Sequence, residues 1–321
     1  MTEEIYSFKH KPRGLAVVIV NKMFDNFGVR YGADKDLINM KTLFKKLNFR
    51  VKAYKNLSGD KMIEKLKKAS KRSHAESDCF VCVISTHGED KEHYDYEETT
   101  VQHVLYGTDS KFIYTSAITR MFANCPGLVD KPKLFFIQAD RSLEGHAKAD
   151  LGHQFIVVSK SEFDQSHRVH SDKFPTQESV EACKDGYEDV SEDEWQESQL
   201  SDNWMKEDEE GRFCQETEQD AKRQRYTAAT GLSPSWCTCC KDELVMWQVA
   251  SGLCAPRHSI IGSSMLTCLF EELMKIQPTE PLLHALTRVC SQMAKISSAS
   301  GNNAVPCISH RLCKEIYFTQ I

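Results

Sequence analysis

This 321-residue sequence predicts a doubly wound α/β fold, a mostly parallel sheet with helices on both faces. Three observations point to it. Continuous apolar runs stand at LAVVIV (15–20), CFVCVIS (79–85) and KLFFIQ (133–138), the pattern of strands covered on both sides. The stretches between them carry apolar residues at helical spacing, so strand and helix alternate along the chain. No apolar run reaches the roughly 18 residues that would read as a membrane span.

The elements follow in order. LAVVIV is bounded by Gly14 and Asn21. Leu37, Met40, Phe44 and Leu47 then mark an amphipathic helix, with Asp34 and Asp36 as candidate N-caps. RVKAY (50–54) reads as a strand, and Met62, Ile63, Leu66 and Ala69 as a second helix. CFVCVIS and KLFFIQ are the next strands, with a helix around Ile118–Phe122 between them. After a long polar stretch come ELVMWQVAS (243–251), helices through Met265–Ile276 and Leu282–Ile296, and the strand-like VPCISHRL (305–312).

Charge divides the chain. Residues 161–226 hold 20 Asp and Glu against 8 Lys and Arg, a balance of −12 in a chain of net −5, which leaves +7 elsewhere. That segment lacks apolar periodicity and reads as a solvated linker. The modest positive remainder shows no concentrated basic stripe with interleaved aromatics, so a nucleic-acid partner is not expected. The N-terminus MTEEIYSFKHKPRG is polar, neither a secretion signal nor a membrane span is readable, and the expected location is the cytoplasm. Thirteen cysteines there are expected as reduced thiols, mostly core filler. Cys237, Cys239 and Cys240 in SWCTCC lack a second ligand pair, so neither a metal nor any cofactor is expected. No internal repeat is present.

In an open parallel sheet, function gathers at the carboxyl ends of strands. Two ends stand out: Ser85-Thr86-His87-Gly88-Glu89 and Gln138-Ala139-Asp140-Arg141-Ser142. Together with NFGVRYGADKDLINMKTLFKKLNFRV, DCFVCVISTHGE, KPKLFFIQADR and the C-terminal VPCISHRLCKEIYF, they resemble the caspase family of cysteine proteases over roughly residues 13–160 and 240–319. The resemblance implies a caspase-like α/β sandwich with a central, mostly parallel sheet of about six strands. It also implies an organisation of a short N-terminal peptide (1–12), a large-subunit region (13–160), an acidic linker (161–235) and a small-subunit region (236–321). No death-fold prodomain precedes the first strand, which matches the short-prodomain branch.

Carried across residue by residue, His87 matches the family's catalytic histidine and the Gly88 N–H one oxyanion-hole donor. Arg30, Gln138 and Arg257 match the residues that grip a substrate aspartate, where bidentate guanidinium recognition suits arginine. The nucleophile is missing: Asp140 stands where the family requires Cys. A carboxylate is a poor nucleophile toward an amide and opposes the charge that develops on the substrate oxygen. Asp140 is expected to pair with His87 or Arg141. Ser142 replaces a family Gly and is expected to crowd the loop, and Cys254, Pro256 and Ser264 stand in place of subsite aromatics. Cys125 precedes the strand that ends at Asp140 and is a poor substitute nucleophile.

The reading is a catalytically inactive caspase homologue, most like the insect decoy caspases. It is expected to regulate apoptosis by pairing with an active caspase paralogue, activating it, or by pairing with a second copy of itself. Rival readings are a competitive decoy inhibitor and an active peptidase with an unusual site. The family's dimer strand matches Val305, Pro306, Cys307, Ile308, Ser309 and His310.

Overall fold

A computed structural model of the chain describes residues 4–94, 99–142, 239–255, 257–258, 260–300 and 304–318. The acidic linker expected over 161–235 lies outside these residues, as do Cys237 and Pro256.

The central sheet has six strands, in agreement with the expected fold. They are β1 (Gly14–Val20), β2 (Arg50–Lys55), β3 (Cys79–Ser85), β7 (Lys133–Gln138), β8 (Glu243–Trp247) and β11 (Cys307–His310). Their order is β11-β8-β7-β3-β1-β2. Neighbours run parallel throughout except β11, which pairs antiparallel with β8.

Alternation along the buried strands explains how uniformly apolar runs serve two cores. Ala16, Val18, Val81, Val83, Leu134, Phe136, Leu244 and Met246 face helices α1 (Ala33–Lys46), α4 (Ser264–Met274) and α5 (Leu282–Ser300). Leu15, Val17, Ile19, Phe80, Ile84, Phe135, Ile137 and Val245 face α2 (Gly59–Ser70) and α3 (Thr115–Ala123). Burying an aliphatic or aromatic side chain in such a layer contributes roughly 1.5–3 kcal/mol.

Three features were not read from the sequence. A second antiparallel sheet follows β3: β4 (Gly88–Tyr94), β5 (Thr99–Tyr106) and β6 (Phe112–Tyr114). Its first strands are polar and lack the apolar runs that marked the central ones. A two-residue ladder joins β9 (Arg257–His258) and β10 (Gly262–Ser263). The N-cap of α1 is Gly32 in the left-handed region, not Asp34 or Asp36, and both aspartates sit in the first turn, where the helix dipole favours acids. Asp34 pairs there with Lys22 and Lys55, while Asp36 is turned inward and buried.

No described helix is long and apolar enough to cross a membrane. No disulfide joins two of the ten described cysteines. Cys125 is buried and donates to the Ser70 carbonyl at 3.1 Å, consistent with a packing role. Among the described residues no group of three or more His, Cys, Asp or Glu is placed to hold a metal ion.

Candidate functional site

The carboxyl ends of β1, β3 and β7 converge on a buried polar cluster, because the chain order reverses there: β2 lies on one side of β1 and β3 on the other. Thr86 N–H donates to the Gln138 carbonyl and Asn21 N–H to the Ser85 carbonyl, so the three strand ends are tied to one another. Asn21 continues the tie with its side chain, donating to Thr86 Oγ1 at 3.1 Å and accepting from Leu57 N–H at 2.9 Å.

His87 follows β3 and is buried between two rings, with Phe24 at 4.5 Å and Phe27 at 5.2 Å between centroids. Burial is the largest of several causes that push its pKa down to about 4; the Arg30 charge adds to the shift, while the hydrogen bond to Gly28 and the Asp140 charge oppose it. The imidazole is therefore neutral near pH 7. Its Nε2 lies 2.9 Å from the Gly28 carbonyl, so Nε2–H donates to it, which leaves Nδ1 as the ring's acceptor. The Gly28 partner was not found from sequence, since a backbone carbonyl carries no residue signature.

Gly88 is required by close approach. A Cβ there would lie 2.8 Å from both Ala139 Cβ and the Val104 carbonyl. The missing side chain lets β4 run against the turn after β7, placing the Gly88 backbone beside residues 139–140. Behind them His103, buried, accepts from Thr115 Oγ1 at 2.8 Å and donates through Nε2 to the Asp140 carbonyl at 3.0 Å. Burial lowers its pKa to about 4, so this ring too is neutral.

Asp140 is buried at the end of β7, and its Oδ1 accepts the Ala255 N–H. The turn it begins is stitched to the loop before β9 by two further bonds, Arg141 N–H to the Leu253 carbonyl at 3.0 Å and Gly252 N–H to the Arg141 carbonyl at 2.7 Å. The expected pairing with Arg141 is replaced: that guanidinium donates to buried Asp90 at 3.2 Å and lies 5.2 Å over the Trp247 ring. Ser251 Oγ also donates to Asp90. Ser142 is buried, and its carbonyl accepts the Asp90 N–H at 2.9 Å. Ser264 is buried and begins α4, after Ser263 caps that helix.

Arg30, Gln138 and Arg257 are brought together through two intermediates. Arg30 donates to Ser85 Oγ at 3.1 Å and to the Gln138 carbonyl at 3.4 Å. Ser85 Oγ donates in turn to Asp36 at 3.2 Å, and Asp36 pairs with Arg257 at 3.0 Å. Asp36, taken from sequence as a helix cap, is thus the counter-ion of this pocket. Its burial could have been suspected only from its place on the apolar side of α1. Buried donors without a hydrogen-bond partner remain, Nε and one terminal nitrogen of Arg257 and Nε2 of Gln138, beside one unpartnered acceptor, Gln138 Oε1. An anionic group is the ligand chemistry such donors suit.

The sequence matches the Caspase domain family over residues 13–317. Caspase-6 of Mus musculus is 26% identical over 98% of this chain and 92% of its own length. Caspase-7 of Gallus gallus is 34% identical over 43% of this chain, a match that spans 42% of that protein. Among solved structures, the crystal structure of caspase-1 from Spodoptera frugiperda superposes with a TM-score of 0.62 at 20% identity, covering 100% of this chain and 97% of that one, a likeness of fold. With the domain matched across nearly its whole length, the chain belongs to the caspase family.

Proposed function

We propose that this chain is a non-catalytic caspase homologue that pairs with an active relative and raises its activity. The observation that carries this reading is Asp140: a carboxylate, committed to the Ala255 N–H, stands at the end of β7 in the position the resemblance assigns to the nucleophile. Thiolate attack needs a sulfur there with a base beside it. A fixed negative charge at that point repels the oxyanion the neighbouring N–H groups would otherwise stabilise. His87 and Gly88 then survive as parts of a folded site without its reactive atom. Arg30, Gln138 and Arg257 survive as a pocket for an acidic side chain, whose occupancy would lead to no cleavage.

The pairing surface in this reading is β11. It ends the sheet, with β8 on one side and no described strand on the other. An open edge of this kind is a template for a second strand. Val305 is 37% exposed beside it, whereas Ile308 packs against the core and is a poor probe of the interface. A partner ordered by contact with this edge shifts toward its competent form only as far as the chain prefers that form.

The test has two arms. The purified chain is incubated with an aspartyl peptide reporter; no turnover is expected. The chain is then titrated into a weakly active, monomeric caspase relative, with reporter cleavage and complex formation followed together; activation is expected, and Val305→Glu should abolish it without changing the melting temperature. Falling activity within a demonstrated complex would favour a decoy inhibitor, and absence of any complex would end the proposal. The alternative of an active peptidase rests on Cys254, a partly exposed thiol between Leu253 and Ala255, both bonded to the 140–141 turn. Turnover lost in Cys254→Ala and in His87→Ala would establish it.

A further inference from the structure

Charge outside the acidic segment is not evenly spread. Residues 41–72 contain 12 Lys and Arg against 2 Asp and Glu, a balance of +10, more than the whole +7 that remains outside residues 161–226. The fold gathers them at one edge. α1 and α2 pack on opposite faces of the sheet, and β2, the terminal strand, forms the rim between them. Lys41, Lys45 and Lys46 are exposed on α1, Lys52 on β2, and Lys61, Lys67, Lys68 and Lys71 on α2. The acids nearby neutralise few of them: Asp34 pairs with Lys55, Glu64 with Lys65, and Asp60 with Lys111, which leaves the eight exposed lysines without an acid of their own among these pairs.

The composition of this edge selects among polyanions. Ten of the 12 cations are lysines, point charges that suit phosphates, whereas recognition of carboxylates favours the arginine fork. No large hydrophobic residue between 41 and 72 is exposed, which removes both a wedge for lipid and the aromatic or aliphatic anchor of a protein interface. The one aromatic at the rim, Tyr54, is partly buried with Lys65 5.8 Å from its ring, so the edge offers no platform for stacking single-stranded bases. Like charges crowded on a convex edge with few acids repel one another, and a phosphate chain relieves that repulsion while releasing its counterions.

We propose that the α1–β2–α2 edge binds the phosphate backbone of double-stranded nucleic acid, independently of its base sequence. The test uses the full-length protein and a fluorescent DNA duplex of random sequence, with affinity measured by anisotropy across a salt series. Each phosphate contact contributes about −0.9 to the slope of log K against log salt. The variant Lys61→Gln/Lys67→Gln/Lys68→Gln/Lys71→Gln should bind about tenfold or more weakly at low salt, with a slope shallower by about 3 to 4. These changes keep residues that favour helix, so its melting temperature should match the parent's. A charge-matched control, Lys9→Gln/Lys241→Gln/Lys275→Gln/Lys295→Gln, should bind as the parent does. The proposal fails if the parent does not bind duplex, if both variants lose affinity equally, or if anionic vesicles or polyglutamate bind more tightly than duplex at the same salt.

Discussion

Replacing Asp140 by Ala should loosen the loop that follows β8 without unfolding the sheet. The carboxylate accepts the Ala255 N–H, and this is one of three bonds that hold residues 252–255 to the 140–141 turn. A hydrogen bond to a charged group contributes about 1.5–3 kcal/mol, and the partial exposure of Ala255 places this one near the lower end, about 1.5–2 kcal/mol. Local opening of that segment should then become about 10- to 30-fold more frequent. Amide hydrogen exchange reads this directly: Ala255 should exchange faster by that factor, while amides of β7 such as Phe136 keep their protection. Asp140→Asn retains a neutral acceptor and should cost less, about threefold. Unchanged exchange at Ala255 in the Ala variant would refute the claim that Asp140 acts as a fastener, and equal loss in Ala and Asn variants would show that the negative charge is what matters.

Two buried groups should give the chain opposite responses to pH. His87, with a pKa of about 4 when folded, takes up a proton in the unfolded chain near pH 6.5, so stability falls as pH drops through that window; His87→Gln should reduce the loss between pH 7 and 4.5 by about 2–3 kcal/mol in urea unfolding. Glu243 is fully buried, both its carboxyl oxygens lack hydrogen-bond partners, and burial raises its pKa to about 7. Its folded form prefers the proton, so stability is present at acid pH and is lost as pH rises toward 7 and above. Measured at pH 5 and pH 8, the stability difference between Glu243→Gln and the parent should grow by about 2–3 kcal/mol in favour of the variant, and a constant difference would contradict the assigned environment.

What could be read from the sequence was the part governed by apolar pattern. The buried runs of β1, β3 and β7 declared themselves because both faces of these strands are covered. β4 and β5 did not, because their sheet stands apart from the central one and their sequences, GEDKEHY and TTVQHVLY, are largely polar. At the site, His87, Gln138 and Asp140 were legible because a strand's carboxyl end is a predictable place for chemistry, whereas Arg30 and Arg257, one in a loop and one in β9, were named only through the family resemblance. Asp36 was read only as a helix cap and Ser85 only as part of a strand end, while His103 and the Gly28 carbonyl were not read at all. Their roles arise from three-dimensional neighbours 12 or more residues away, as when Asp36 meets Arg257, and no spacing rule reports such a pairing.

The wiring of the pocket also bears on why it persists beside an acid in the nucleophile's place. Arg30 bonds the Asn21 and Gln138 carbonyls and Ser85 Oγ, so it joins the ends of β1, β3 and β7. Asp36 accepts from Ser85 Oγ and from Ser263 N–H, and pairs with Arg257, so it joins α1 to β3, β9 and β10. Removing any one of these groups would leave a buried charge or polar atom uncompensated, at a cost of about 3–5 kcal/mol for a broken buried ion pair. Structural need alone can therefore hold the pocket residues in place. The side chain at 140 is under a looser constraint, because the backbone around it is fixed by the Thr86 N–H bond to Gln138 and by His103 at the Asp140 carbonyl. An acid at position 140 and an intact Arg30, Gln138 and Arg257 network are compatible within one architecture. The positions of Arg30, Gln138 and Arg257 are thus explained by the fold without calling on substrate binding.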